Sequence, residues 1–235
     1  EVVTTYKDTS HRLQYYDQGQ TAFWEAQQAV REQQADALEL QLVLVADYMR
    51  ALAALSADSA ADYSEDVDGL TSSLKKTGQL SEPTVGAAGK LATTLLNAAA
   101  QAWQKAKVAE IIEKGNAPLQ TILKGELRTI VNEDFRKDLK TEADLFDNYY
   151  KRLLRIGGGS DAANAALNEW FVSRKAENAK RIVAVDAYVA ILDKISKGHQ
   201  ELYDSRDDLD AVELAKDLFK LAKEIRSNVK DILKS

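Results

Sequence analysis

Only two prolines, Pro83 and Pro118, interrupt this chain of 235 residues, and that scarcity constrains its fold more than any other feature. Proline breaks helix interiors and is excluded from central strands, so a chain with so few can run in long, uninterrupted elements. Eleven glycines are too few to turn a many-stranded protein. No sustained alternation of Val, Ile, Thr and aromatic residues marks a strand. The 45% apolar share is rich in alanine, the strongest helix former. These features predict an all-α protein: one domain over residues 1–235, folded as an elongated antiparallel bundle of about six helices.

Apolar spacing places the helices. The first is expected over 10–56, with Gly19 a weak point near its start. Its second half carries two stripes, Leu38, Leu42, Val45, Met49, Leu52 and Leu40, Leu44, Tyr48, Ala51, Leu55, so it is covered from more than one side. A second helix is expected over 59–76. The third opens at Ser81-Glu82-Pro83, a serine cap followed by proline in the first turn. It carries small residues at near-heptad spacing, Ala88, Ala92, Leu95, Ala99, Ala102, Ala106 and Ala109, which predict close packing against the first or fifth helix.

Gly115-Asn116-Ala117-Pro118 marks either a kink in one long rod or a tight reversal. The fourth helix then runs to about 156, with Leu139, Ala143, Phe146, Tyr150 and Leu153 on one stripe. Gly157-Gly158-Gly159-Ser160 is a flexible break. It reads as a natural loop with Ser160 capping the next helix; a linker standing in for a longer loop has the same composition. The fifth helix, from Asp161 to about Tyr203, buries Ile182, Val185, Val189, Leu192 and Ile195. The sixth starts at Asp210 with Glu213 in a capping-box arrangement.

A net charge of −6 argues against non-specific nucleic-acid binding, which requires a basic surface. With no cysteine, the chain has neither disulfides, thiolate metal sites nor cysteine nucleophiles. The longest uncharged stretch, 91–104, is too short and too polar for a transmembrane span. The two histidines lack the Glu-x-x-His context of di-iron bundles: Asp8 precedes His11 by three residues and Ser196 precedes His199. His199 continues the stripe Leu192, Ile195, His199, Leu202, which predicts a structural role. Ser64-x-Asp66-x-Asp68-Gly69 fails as a calcium loop, with Ser64 at its first position and Lys75 at its twelfth. The Gly157–Ser160 run lacks the preceding strand and following lysine of a phosphate loop. No catalytic constellation is present, and neither a metal nor an organic cofactor is expected.

Two features remain as candidate contact sites. An acidic patch, Asp204, Asp207, Asp208 and Asp210, surrounds the last expected loop; it reads as helix capping and solvation or as a site for a divalent ion or a basic partner. Adjacent aromatics recur at Tyr15-Tyr16, Phe23-Trp24, Tyr149-Tyr150 and Trp170-Phe171. Helix neighbours point about 100° apart. If one ring of a pair enters the core, the other moves toward the surface, where aromatic residues are enriched at interfaces. If the helices are sandwiched, both rings are buried.

Two stretches, Ala57–Tyr63 with Asp68-Gly69-Leu70, and Gly198–Tyr203 with Asp207-Asp208-Leu209, resemble segments of helical exported proteins and lipoproteins of bacteria. The resemblance implies an extracytoplasmic setting and transfers no activity. The chain starts at Glu1 rather than Met, which suggests a segment removed upstream; membrane anchoring would require a lipidated leader there. The leading expectation is a non-enzymatic interaction or scaffold protein, with a protein partner bound through helical surfaces. The alternative is a ligand-binding bundle of sensor type, which requires a cavity lined by some of Trp24, Trp103, Trp170, Tyr149 and Tyr150.

Overall fold

The computed structural model describes residues 2–56, 81–99, 105–156 and 159–206, excepting the side chains of 2–4, 50, 51, 53–56, 95–99 and 105–107. Almost all of these residues are helical and none lies in a strand, as the shortage of breakers requires. In chain order the helices are α1 (Val2–Lys7), α2 (Thr9–Tyr16), α3 (Thr21–Ser56), α4 (Glu82–Ala99), α5 (Lys105–Lys124), α6 (Arg136–Ile156) and α7 (Asp161–Asp204). The helices expected over 59–76 and from Asp210 lie outside the described residues.

The expected first helix is in fact a hairpin. Gly19 sits in a short 3-10 turn, Gln18–Gln20, at which the chain reverses. The segments α1 and α2 fold back on α3, with the Lys7 ammonium 3.1 Å from the Asp36 carboxylate and the Gln28 amide donating to the Lys7 carbonyl at 3.1 Å. A single glycine marks this reversal because the polar composition of 8–20 offers no apolar stripe to extend α3 backward. Beyond residue 35, α3 is central: Leu38, Leu42, Val45, Met49 and Leu52 are buried, and so are Leu40, Leu44 and Tyr48 of the second stripe. Each such fully buried aliphatic side chain contributes about 1.5–3 kcal/mol.

Pro118 neither reverses nor ends its helix. It lies inside α5, which runs from Lys105 to Lys124. The reversal occurs earlier, between α4 and α5, which pack antiparallel: Ser81 at the start of α4 donates from its hydroxyl to Glu126 at 2.7 Å, just past the end of α5. The alanine stripe is therefore shared between two helices that pair with each other, with α3 touching α4 less extensively. Ala88 and Ala92 are buried in this contact region and Ala102 lies outside the described residues.

After α5 the chain breaks at Gly125, where a β-carbon would stand 2.5 Å from the Thr121 carbonyl oxygen, so glycine alone fits. A single turn, Glu126–Arg128, and a π-helix, Thr129–Phe135, lead into α6. The wider π turns carry the buried face through Leu127, Ile130, Val131 and Phe135 to Leu139. Helix α7 returns along α6 and α5, its start capped by Ser160, whose hydroxyl accepts from the Ala163 amide at 3.3 Å. The last half of α7 joins the core through Val185, Tyr188, Leu192, Ile195 and Leu202, while residues 161–176 are exposed except along the narrow line Asn164, Leu167 and Phe171.

Candidate functional site

The reversal at Gly19 brings α2 against α6, and the α6–α7 hairpin adds a third wall. Aromatic rings more than a hundred residues apart in sequence meet there. Tyr16 lies 6.0 Å from Phe146, 5.7 Å from Tyr149 and 6.3 Å from Tyr150, centroid to centroid. Phe171 approaches Phe146 at 6.1 Å and Tyr150 at 5.8 Å, and Tyr15 approaches Tyr149 at 5.7 Å. The tilted and edge-on arrangements suit the ring quadrupoles. Phe146 and Tyr150 reach this cluster together because they stand four residues apart on one face of α6.

Beside the cluster opens a cleft of about 710 Å³. Its apolar wall is formed by Tyr15, Tyr16, Tyr150 and Trp170, and its polar wall chiefly by Arg12, Arg174 and Arg181, with Asp8, His11, Ser173 and Glu177 at the same opening. Burial pushes the Tyr16 phenol up to about 12, so it stands protonated at neutral pH.

Three guanidinium groups share two carboxylates in this region. Arg12 Nε donates to Glu142 Oε1 at 2.8 Å, and Arg181 Nη1 lies 3.6 Å from the same oxygen. Arg174 Nη1 donates to Glu177 Oε2 at 2.9 Å, and Arg181 Nη2 lies 3.8 Å from that oxygen. Arg12 is anchored further, donating to the Thr5 carbonyl at 3.1 Å and the Thr9 hydroxyl at 3.0 Å. Arg181 instead stands between both acids without a hydrogen bond to any described residue. Burial, with the Arg12 charge beside it, lowers its pKa. Glu142 is buried, and its Oε2 has no hydrogen-bond partner among the described residues.

A second polar cluster is closed to solvent. The Tyr48 hydroxyl and His199 Nε2 are 2.8 Å apart, and His199 Nδ1 is 3.0 Å from Asn116 Oδ1. The proton positions follow from the far end of the chain of contacts. The Asp204 carboxylate accepts from Gln200 Nε2 at 2.9 Å, leaving Gln200 Oε1 to accept from Asn116 Nδ2 at 2.9 Å. Asn116 Oδ1 is thus an acceptor, His199 Nδ1 carries the proton, and the Tyr48 hydroxyl donates to Nε2. Gln120 closes the network, donating to the Ser196 carbonyl at 2.8 Å and accepting from the Ser196 hydroxyl at 2.5 Å. Burial lowers the His199 pKa to about 4. The imidazole is neutral, and both of its nitrogens are committed to structural contacts.

In all four aromatic pairs the second residue is the inner one: Tyr16, Trp24, Tyr150 and Phe171 are more buried than Tyr15, Phe23, Tyr149 and Trp170. Three pairs join the cleft region. Phe23-Trp24 does not; the Trp24 indole donates to Asp17 at 3.2 Å and braces the hairpin turn, with Phe23 exposed beside it. Trp103 lies outside the described residues. Of the acidic patch, Asp204 ends α7 and holds Gln200, while Asp207, Asp208 and Asp210 lie outside the described residues. No group of three His, Asp or Glu side chains among the described residues is placed to hold a metal ion. Likewise, no helix among them is long and apolar enough to cross a membrane.

Sequence reading missed Arg12, Glu142, Arg174, Glu177 and Arg181. One signal for them exists: Trp170, Arg174, Glu177 and Arg181 recur at spacings of three and four on α7, and so share a face. No family model, curated protein or solved structure matches this chain.

Proposed function

We propose that this protein binds a small molecule in the cleft between α2, α6 and α7, without catalysing a reaction. The observation that carries this reading is the cleft itself. Its volume of about 710 Å³ falls within the range of about 300–1,000 Å³ typical of small-ligand sites. Tyr150 and Trp170, two of the five residues from which the lining of a ligand-binding bundle was expected, line it. The geometry therefore favours ligand binding over the scaffold role that the sequence put first. A thermal-shift screen of the full chain against metabolites and solutes tests this. A ligand at 100 times its Kd adds about 2.7 kcal/mol, which raises Tm by roughly 5–10 °C for a chain of this size. A flat screen with metabolites at millimolar concentration counts against the proposal.

A second reading, docking of a protein partner, is favoured by one observation. The α6–α7 hairpin exposes Ile156, Trp170, Val172 and Val183. Crosslinking in the native host, followed by loss of the crosslinked species in a Trp170→Ala and Val172→Ser double variant, would support it. The setting we propose is extracytoplasmic and bacterial, supported by the resemblance of 57–70 and 198–209 to exported helical proteins. Cell fractionation tests it, and a purely cytoplasmic distribution refutes it.

A further inference from the structure

We propose that the ligand of this cleft is a ring-bearing monocarboxylate, its carboxylate taken by Arg181 and Arg174 and its ring placed against Tyr16, Tyr150 and Trp170. The inference rests on the ligand-binding reading above and adds the chemistry of the occupant.

Arg181 is the centre of the argument. Its side chain is 24% exposed, it lines the cleft, and it makes no hydrogen bond to any described residue. Its two acidic neighbours stand at 3.6 and 3.8 Å, each already holding another arginine at hydrogen-bond distance. The planar fork of five N–H donors thus makes two long ion pairs but no hydrogen bond to a described residue at a half-buried position, and that fork matches a carboxylate. Arg174, about two turns earlier on the same face of α7, has spent a single donor on Glu177. Across the group, three guanidinium charges face two carboxylates, Glu142 and Glu177. Asp8, the remaining acid of the cleft, forms an ion pair with none of the three. On α7 itself Arg174 and Arg181 outnumber Glu177 by one positive charge, which a single carboxylate offsets. A doubly charged phosphate would be repelled by Glu142, Glu177 and Asp8. Tyr15, Tyr16, Tyr150 and Trp170 line the same cleft, which selects a ring as the rest of the ligand.

The test is calorimetric titration of the full chain with phenylacetate and indole-3-acetate, set against phenylacetamide, indole-3-acetamide, acetate and inorganic phosphate. The expected result is binding of the two aromatic acids, with their amides and acetate at least about tenfold weaker. Arg181→Gln and Arg174→Gln should each weaken the acids about tenfold or more and leave the amides unchanged. Arg174 is exposed, so its variant keeps the inference testable if Arg181→Gln unfolds. Equal binding of acids and amides would overturn the carboxylate assignment while leaving the ligand-binding reading standing. Phosphate binding as tight as phenylacetate would overturn the requirement for a single charge and a ring. Failure of every acid and amide would overturn the inference, while the ligand-binding reading is decided separately by the thermal-shift screen. A tetrapeptide with a free C-terminal phenylalanine carries the same two groups. It should bind no tighter than phenylacetate, and tighter binding would overturn the small-molecule source in favour of a peptide terminus.

Discussion

The phenol of Tyr48 occupies the space that a β-carbon on Gly115 would need. A methyl group there would overlap the Tyr48 hydroxyl and stand 2.8 Å from Cζ. Glycine inside α5 costs about 1 kcal/mol relative to alanine, and here that cost permits the Tyr48 to His199 hydrogen bond. Gly115→Ala should therefore destabilise the protein despite its better helix propensity, by about 1–3 kcal/mol as an overpacking defect. Urea unfolding checks this. The same substitution in a Tyr48→Phe background, where the overlapping hydroxyl is gone, should cost less.

His199 makes stability pH-dependent in a defined window. Its folded pKa is about 4 against an unfolded value near 6.5, so below pH 6.5 the unfolded chain binds more protons. Stability from this group is complete above pH 6.5 and is lost as pH falls toward 4. The loss between pH 7 and pH 5 should be about 2 kcal/mol, at about 1.4 kcal/mol per pKa unit. Unfolding free energies at pH 7, 6 and 5 measure it. His199→Gln should be less stable at pH 7 and should flatten the curve over this window, where exposed carboxylates remain ionised.

Arg31 clamps α3 to α6 through both oxygens of Asp138, at 2.5 and 3.0 Å, and its guanidinium stacks 5.5 Å from the Tyr6 ring. Burial raises the Asp138 pKa in spite of this partner. The half left behind when one member is removed is a buried, unpaired charge. Arg31→Met should cost about 3–5 kcal/mol, whereas the Arg31→Met, Asp138→Leu double variant should recover most of that loss. A double-mutant cycle by chemical denaturation decides it, and additive losses would contradict a coupled pair.

Tyr150 and Trp170 differ sharply in burial. Tyr150, 6% exposed among Tyr16, Tyr149 and Phe171, should cost about 3–5 kcal/mol on truncation to alanine. Trp170, 64% exposed on the cleft wall, should change stability by no more than about 0.5 kcal/mol while weakening ligand binding. Thermal unfolding and titration on the two variants, side by side, separate the roles.

The all-α class and the stripes of α3, α6 and α7 were legible in the sequence because helix periodicity is a local property, read within a few turns. The cap at Ser160 was legible for the same reason. Chain reversals were harder. Proline in a helix interior costs about 3 kcal/mol and glycine only about 1 kcal/mol, yet the chain reverses at Gly19 and Pro118 lies within a helix. The difference is made by what packs around them: α2 finds partners on both α3 and α6, while Leu119, Ile122 and Leu123 are buried in the core along α5 beyond its proline.

The sequence by itself determined that this chain is helical and which faces its long helices bury, and it left the aromatic pairs open between one ring inward and both buried. Only the tertiary structure decided that three of those pairs share a cleft and that Phe23-Trp24 stands apart. It alone placed Arg181 between two acids already engaged by other arginines, and His199 between Tyr48 and Asn116. The physical reason is the same in each case. Periodicity fixes the direction of a side chain relative to its own helix, whereas the charge balance and hydrogen bonds of a site depend on residues contributed by other helices, whose placement is set by the packing of the whole core.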